Sequence, residues 1–263
     1  MRALSIAATG MLAQQTNVEV IANNLANMNT AGFKRQRAEF EDLLYHNIQM
    51  PGAQSTDSGT IIPSGIQLGA GVRTAAVYRV IGQGDLKSTS NPYDLAIQGP
   101  GFFRIQQPDG TDAYTRAGNF GLSPDGQIVT EKGYTVAPGI AVPPNALSIT
   151  VNAQGQVQAT LPGQTAPQTL GQLELVRFPN EAGLQAIGDN LFLETPASGG
   201  PQSGLPGSQG YGTLSQGFLE TANVNPVEEI TSLITAQRAY EMNSKVITAA
   251  DQMMQETSRM GGA

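Results

Sequence analysis

The distribution of glycine and proline is the feature that most constrains the fold of this 263-residue chain. Of its 31 glycines and 16 prolines, 43 lie between residues 41 and 226. Both residue types destabilise the interior of a helix. Long helices are therefore expected only at the two ends of the chain, with a turn-rich middle between them.

The N-terminal end has the periodicity of an amphipathic helix from residue 3 to residue 28. Large apolar residues recur every seven positions, and smaller apolar residues fill the neighbouring positions of the stripe. This spacing is that of the a and d positions of a coiled coil. Gly32 is predicted to take a positive φ just beyond the helix end. The predicted core of this helix is Leu4, Met11, Val18, Ile21 and Leu25.

The C-terminal end predicts a second helix from residue 226 to residue 258, with Asn225 as the N-cap and Pro226 at the first helical position. Outside the stripes both helices carry amides rather than charges, so burying them against other copies would desolvate few ions. This favours self-assembly through a coiled coil over the alternative, which is packing of the helices within one globule. The predicted core of this helix is Ile230, Leu233, Tyr240, Ile247 and Met254.

The middle of the chain predicts short antiparallel strands. Runs rich in β-branched and aromatic residues alternate with turn signals such as Pro108-Asp109-Gly110 and Pro124-Asp125-Gly126. The predicted fold is therefore α+β, with long terminal helices paired as a coiled coil and a central, mostly antiparallel β domain. The predicted divisions are a helical core at 1–30 and 226–263, connecting arms at 31–74 and 206–225, and a β domain at 75–205.

Composition excludes several functional classes. The chain has no cysteine and one histidine, His46, which excludes disulfide scaffolds, cysteine-ligated metal and thiol catalysis. A net charge of −7 without a strongly basic stretch is atypical of nucleic-acid binding. No apolar run approaches the ~20 residues of a membrane span, and the first residues lack the pattern of a cleaved signal peptide. We therefore expect no enzyme activity, no metal or cofactor, no nucleic acid and no direct membrane insertion.

One group of charges stands close to the end of the first helix. Lys34, Arg35 and Arg37 are followed within eight residues by three acidic residues. With these acids balancing the basic residues, the sequence favours ion pairs, within a subunit or between subunits, over a phosphate or lipid site. The acidic residues are Glu39, Glu41 and Asp42.

Residues 22–40, ANNLANMNTAGFKRQRAEF, strongly resemble the N-terminal signature of the bacterial flagellar rod and hook family. Residues 94–103 with 114–120 are similar to the start of that family's β domain, and residues 220–229 with 237–245 to its C-terminal helix. Thr221-Ala222 departs conservatively from the family pattern. The matching signature residues are Asn23, Asn24, Leu25, Ala26, Asn27, Gly32, Phe33, Asn223 and Val224.

Within the family, residues 40–54 and 61–72 are most similar to the members that build the distal rod. The resemblance implies a structural subunit that self-assembles into this hollow drive shaft, transmits motor torque to the hook and forms part of the export channel. It implies a periplasm-spanning location in the flagellar basal body after export without a cleaved signal peptide. The implied partners are copies of the chain, other axial proteins of the proximal rod and hook, the P and L ring proteins, and the flagellar type III export apparatus.

Two shorter elements also follow from the resemblance. Phe40 and Leu44 match the family's export-gate pattern, and residues 46–72 resemble the arm that stiffens the rod. A proximal rod or hook-type axial subunit is the alternative within the family. A secreted module that binds a ligand on its β domain is the alternative from another class. The arm residues singled out are Pro51, Gly52, Pro63 and Gly65.

Overall fold

The computed structural model describes residues 2–49, 64–164 and 166–261. Within them, α1 (Arg2–Ala26) and α2 (Pro226–Gly261) occupy the two ends, and strands occupy the middle. The predicted α+β class is therefore confirmed.

The chain forms two compact units. Residues 31–35 and 206–224, which the sequence predicted as connecting arms, belong to the second unit. The predicted boundaries of the β domain, at residues 75 and 205, stay predictions. The first unit comprises Met1–Leu25, Gln36–Tyr78 and Asn225–Ala263, and the second comprises Ala26–Arg35 and Arg79–Val224.

In the first unit, α1 and α2 are antiparallel neighbours. Asn24, near the end of α1, donates a hydrogen bond to Glu229, near the start of α2. Towards the other end, Gly10 lies so close to Asn243 that an added Cβ would be 2.8 Å from the side-chain nitrogen. Small side chains at such positions let the two backbones approach closely. The coiled-coil geometry predicted for this pair stays a prediction. The buried residues of α2 are Glu229, Ala236 and Ala250.

Asn225 caps α2 as predicted. Its side-chain oxygen accepts the Val227 N–H at 3.1 Å, and its carbonyl accepts the first intrahelical bond from Glu229 at 3.0 Å. The C-terminal end of α1 differs from the prediction. The helix ends at Ala26 instead of residue 28, so Gly32 lies six residues beyond its end. Thr30 folds back onto the backbone carbonyl and side chain of Asn27, so the polar residues after Ala26 form a turn instead of a last helical turn.

Two β ribbons complete the first unit. One pairs the first and fourth strands of the chain, and the other pairs the second and third in antiparallel register. The second ribbon lies largely within residues 46–72, the segment that resembles the stiffening arm. The strands are β1 (Gln36–Asp42), β2 (Tyr45–Gln49), β3 (Ile66–Gly69) and β4 (Val72–Arg79).

The second unit is built from short antiparallel strands, as predicted. In its first half they are β5 (Leu86–Ser88), β6 (Leu95–Gln98), β7 (Phe102–Gln106), β8 (Asp112–Thr115), β9 (Gly121–Leu122), β10 (Ile128–Val129), β11 (Thr135–Val136) and β12 (Ser148–Val151). In its second half they are β13 (Gln156–Thr160), β14 (Gln168–Gln172), β15 (Leu175–Arg177), β16 (Gln185–Gly188), β17 (Leu191–Leu193), β18 (Gln202–Gly204), β19 (Thr213–Gln216) and β20 (Phe218–Glu220).

The largest sheet has the order β16-β17-β8-β7-β11-β10-β9, with β15 pairing both β7 and β18. A smaller sheet joins β12, β13 and β14, and two further pairs join β19 to β6 and β20 to β5. The last two pairs bring the end of the β region back beside its beginning. Strand β18 supplies a partner to the edge of β15.

The core of the second unit lies on both faces of β7, since successive side chains of a strand point in opposite directions. Phe103 and Ile105 pack into the larger apolar cluster, and Phe102 into a smaller one. The predicted turns at Gly110 and Gly126 are confirmed, because both glycines have positive φ and each turn is closed by a backbone hydrogen bond. This unit therefore gives a rigid base to the segments that enter and leave it.

Candidate functional site at the chain junction

Where the chain enters and leaves the second unit, the incoming and outgoing segments are in close backbone contact. The Gly32 N–H donates to the carbonyl of Glu220 at 2.8 Å. Gly32 has φ +68°, and a Cβ built there would lie 2.5 Å from the backbone nitrogen of Ala117. Both the left-handed backbone and the absence of space require glycine here. The signature glycine therefore holds the incoming and outgoing segments against the β unit.

Three charged residues fill this junction, and we call Lys34, Arg116 and Glu220 the junction cluster. Lys34 Nζ lies 2.5 Å from one carboxylate oxygen of Glu220, and Arg116 Nε lies 2.8 Å from the other. The side chains of Lys34 and Glu220 are fully buried, and that of Arg116 is 4% exposed. The Glu220 carboxylate thus links the incoming segment, the body of the β unit and the outgoing segment.

The other polar atoms of the cluster bond to backbone. Lys34 Nζ donates to the carbonyl of Gly82 at 2.8 Å, and the Gly84 N–H donates to Glu220 at 2.9 Å. The guanidinium of Arg116 donates to three carbonyls of the segment that resembles the start of the family's β domain. Full hydrogen bonding is what makes a buried ion pair tolerable. The three carbonyls belong to Ile97, Gly99 and Gly101.

Burial dominates the electrostatics around the cluster. It lowers the pKa of Lys34, an effect that the charge of Glu220 opposes. Burial also raises the pKa of nearby Glu181, against the attraction of Arg116, Arg177 and Lys34. Both shifts have the direction expected when ionised groups lose contact with water.

Asn223 ties the same junction through neutral hydrogen bonds. Its side-chain oxygen accepts the Arg35 N–H at 2.8 Å. Its side-chain nitrogen donates to the carbonyls of Val80 at 2.8 Å and Gly82 at 2.9 Å. An asparagine satisfies both a donor and two acceptors here, which explains why this signature residue is an amide.

A second signature residue, Asn24, organises the first unit. We call Asn24 with its partners Gln36 and Glu229 the asparagine clamp. Asn24 accepts the Gln36 N–H at 2.7 Å and donates to the Gln36 carbonyl at 2.8 Å and to Glu229 at 3.3 Å. Asn24 is 2% exposed. It therefore joins α1, the start of β1 and α2 in one buried contact.

The predicted stripe of α1 coincides only in part with the residues that the structure buries. Ile21 is buried, while Leu4, Met11, Val18 and Leu25 are half-buried. Val18 and Tyr240 line the same open groove of about 620 Å³ between α1 and α2. On α2, Leu233 and Ile247 are half-buried, and three further stripe residues are more exposed. Their role in polymerisation stays a prediction. The exposed three are Ile230, Tyr240 and Met254.

The other predicted sites are scattered. Phe40 is half-buried in β1 and Leu44 is 89% exposed just after it, so their export-gate role stays a prediction. Of the arm residues, Gly65 is half-buried, and Pro51, Gly52 and Pro63 lie outside the described residues. Among the remaining signature residues, Asn23 and Ala26 are exposed, and Asn27, Phe33 and Val224 are half-buried.

The charges after α1 form ion pairs, as predicted, but Lys34 does not pair with one of the neighbouring acids. Arg37 does pair with Glu39 at 3.2 Å on the surface, but Lys34 pairs with the distant Glu220. Sequence analysis also missed Arg116 and Glu220 as partners. Both lie within the family-like stretches, which was the available signal, but local spacing cannot reveal a contact across 186 residues.

A cavity of about 330 Å³ opens elsewhere in the second unit. Its lining combines Lys132 and Asp189, which pair at 3.6 Å, with hydroxyl, amide and apolar groups. Within the described residues, no three histidine, aspartate or glutamate side chains gather as a metal site would require. No described helix is long and apolar enough to span a membrane.

Three known domain families match the chain. The flagella basal body rod protein family matches residues 4–34, the flagellar hook protein FlgE/F/G D1 domain matches residues 96–159, and the flagellar basal body rod FlgEFG protein C-terminal family matches residues 215–260. The junction cluster has one residue in each of these three regions.

Curated relatives match along nearly the whole chain. The identity is 59% over 260 residues to the flagellar basal-body rod protein FlgG of Caulobacter vibrioides, covering 99% of each chain. It is 53% over 259 residues to FlgG of Agrobacterium fabrum, covering 98% of this chain and 99% of the relative. The identity is 33% over 249 residues to the flagellar basal-body rod protein FlgF of Caulobacter vibrioides, covering 93% of this chain and 91% of the relative.

These matches identify a structural protein of the bacterial flagellum. The chain belongs to the family of flagellar basal-body rod and hook proteins. The predicted structural, non-enzymatic role in the rod is thereby confirmed.

Proposed function

We propose that this chain is the subunit that polymerises into the hollow distal rod, transmits motor torque to the hook and lines part of the export channel. One observation carries the proposal: the identity is 59% to a FlgG and 33% to the FlgF of the same organism. The greater similarity favours the rod subunit of the FlgG type over another axial subunit of the family.

The helices of the first unit supply the surfaces for polymerisation. We infer that α1 and α2 pair as a coiled coil and that further copies cover their outer faces. Val227, Ile230 and Ile234 are exposed in the first part of α2, and apolar residues are exposed again further along. The amide-rich faces of both helices favour close contact between copies, because few ions would lose hydration.

The second unit then serves as a rigid body. The junction cluster holds both connecting segments on it, so that force on the helices reaches the β unit through two covalent segments and a buried ion network. Many such subunits in a closed lattice would carry torque without a single strong interface.

The remaining assignments rest on the family resemblance. We propose that other axial proteins of the proximal rod and hook, the P and L ring proteins and the type III export apparatus are partners. We also propose that the chain spans the periplasm after export without a cleaved signal. The exposure of Leu44 supports Phe40 and Leu44 as an export-gate motif, and the exposed β2–β3 ribbon supports residues 46–72 as the stiffening arm.

Assembly of purified full-length protein tests the function. We expect concentration-dependent tubes by sedimentation and electron microscopy. Val18→Asp or Leu233→Asp should abolish them, because each places a charge on a predicted helix contact. Gln164→Asp, at an exposed position of the second unit, serves as the control for an added charge outside the helices. Normal assembly of both charged variants would contradict the helix-mediated mechanism.

Electron microscopy of basal bodies tests the position in the rod. A deletion strain should lose the distal rod while retaining the inner ring, and a plasmid copy should restore the rod. Retention of a complete distal rod would refute the assignment.

A further inference from the structure

Helix α2 extends past the region where α1 contacts it. Gly10 lies level with Asn243, and α1 begins at Arg2, eight residues before Gly10. In an antiparallel pair with equal rise per residue, α1 therefore ends near residue 251 of α2. Residues 251–260 of α2 are all exposed. This overhang lacks cover from α1 within the described part of the chain.

Exposed methionines lie on one side of α2 from residue 242, which precedes the overhang, to residue 260 near its end. Met242, Met253 and Met260 are 61%, 61% and 77% exposed, and the exposed Val246 lies between the first two. With ~100° per residue, these four residues fall within a narrow sector of the helix. That sector is rotated away from the one that carries the buried Ala236 and Ala250. We call Met242, Met253 and Met260 the methionine stripe.

We propose that the methionine stripe is an oxidation site at which peroxides stop assembly of the free subunit. A thioether sulfur attacks one oxygen of the peroxide, the S–O bond forms and the O–O bond breaks. With hydrogen peroxide the departing hydroxide takes up the proton released by the oxygen now bonded to sulfur, and it leaves as water. Sulfur loses two electrons, the peroxide gains them, and the product is methionine sulfoxide.

The consequence for assembly rests on the proposed function, in which further copies cover α2. Methionine suits such an interface because its flexible, polarisable side chain fits irregular apolar surfaces. A sulfoxide is polar, and burying it without hydrogen-bond partners is unfavourable. Three sulfoxides on one side of α2 would therefore oppose docking of the next copy. The second unit and the α1-facing side of α2 would keep their structure.

Peroxide treatment of the purified full-length subunit below its assembly concentration tests the proposal. Peptide mass spectrometry should detect sulfoxide at Met242, Met253 and Met260 before the half-buried Met11. After removal of the peroxide, the concentration needed for assembly should rise about tenfold or more, as expected for polar groups buried without partners. Methionine sulfoxide reductase should reverse the effect.

Leucine variants separate the stripe from other methionines. The triple variant Met242→Leu/Met253→Leu/Met260→Leu is made alongside the single variant Met254→Leu, because Met254 is 38% exposed and is also a predicted helix contact. The triple variant keeps apolar side chains of similar volume and should assemble after peroxide treatment, whereas Met254→Leu alone should stay sensitive. The control Met11→Leu/Met28→Leu should stay sensitive. Equal sensitivity of the triple variant and wild type would overturn the proposal, as would unchanged assembly of fully oxidised wild type. Failure of the untreated protein to assemble would instead refute the proposed function, and the oxidation proposal with it.

Discussion

Lys34 and Glu220 are separated by 186 residues of chain, and their charged groups lie 2.5 Å apart in full burial. Neither group is left with its charge unpaired, because Arg116 shares the carboxylate and backbone groups satisfy the other donors and acceptors. The pair fixes the segment that follows α1 and the segment that precedes α2 to the same point of the β unit.

Neutralising the shared carboxylate should destabilise the second unit. Glu220→Gln would leave Lys34 and Arg116 buried without their counter-charge, and we expect a loss of about 3–5 kcal/mol in the free energy of unfolding. Urea unfolding measures it. Glu41→Gln, which breaks the exposed pair with Arg73, should cost less than about 1 kcal/mol. Equal costs at the two positions would contradict a structural role for the cluster.

Glycine should be required at position 32. Gly32→Ala adds ~1–2 kcal/mol of backbone strain from the left-handed conformation, and its Cβ would also clash with the backbone of Arg116 and Ala117. We therefore expect a large fall in the melting temperature of the protein. Gly110→Ala is the matched control, since it has φ +84° but no atom within 4 Å of the added Cβ. Equal losses of melting temperature in the two variants would show that the close backbone approach at Gly32 does not contribute to stability.

Glu181 should make stability depend on pH. Its pKa in the folded protein is raised above 4.5 by burial, so the ionised form is disfavoured in the native state. The contribution of Glu181 to the free energy of unfolding is fully present below pH 4.5 and is lost as the pH rises through the raised pKa. Glu181→Gln should thus match wild type in acid and exceed it at about pH 7 in urea midpoint.

The exposed Glu131 provides the control for loss of a carboxylate. Glu131→Gln should change the urea midpoint little at either pH. A Glu181→Gln variant that was no more stable than wild type at neutral pH would show that the surrounding cations outweigh the burial of Glu181.

The asparagine clamp should hold the chain at the end of α1. Asn24→Leu keeps the volume of the side chain but leaves the Gln36 N–H and carbonyl without their partner, which costs roughly 1–3 kcal/mol per buried group. Hydrogen–deuterium exchange should show loss of protection at Gln36 and in the last turns of α1. Asn23→Leu, at an exposed neighbouring position, should have a smaller effect. Unchanged protection at Gln36 would argue against the clamp.

Local patterns predicted the elements better than the contacts between them. The seven-residue repeat that contains Val18 and the cap at Asn225 predicted both helices, since each depends on neighbours along the chain. The end of α1 was harder, because the turn after Ala26 competes with the helix for the same backbone groups. Lys34 was assigned to adjacent acids because its true partner is brought to it only by the return of β20 to the β unit. The signature asparagines were recognised by resemblance, but their hydrogen bonds required coordinates.

The position of Glu220 in the chain also sets an order of events. A chain that emerges N-terminus first presents Lys34 early, and the carboxylate that neutralises it follows 186 residues later. Until then, burying Lys34 would leave an uncompensated charge, so the junction cannot close around a partial chain. Closure of the junction is thereby delayed until α2 is about to follow, so the β unit is completed only when nearly the whole chain is present.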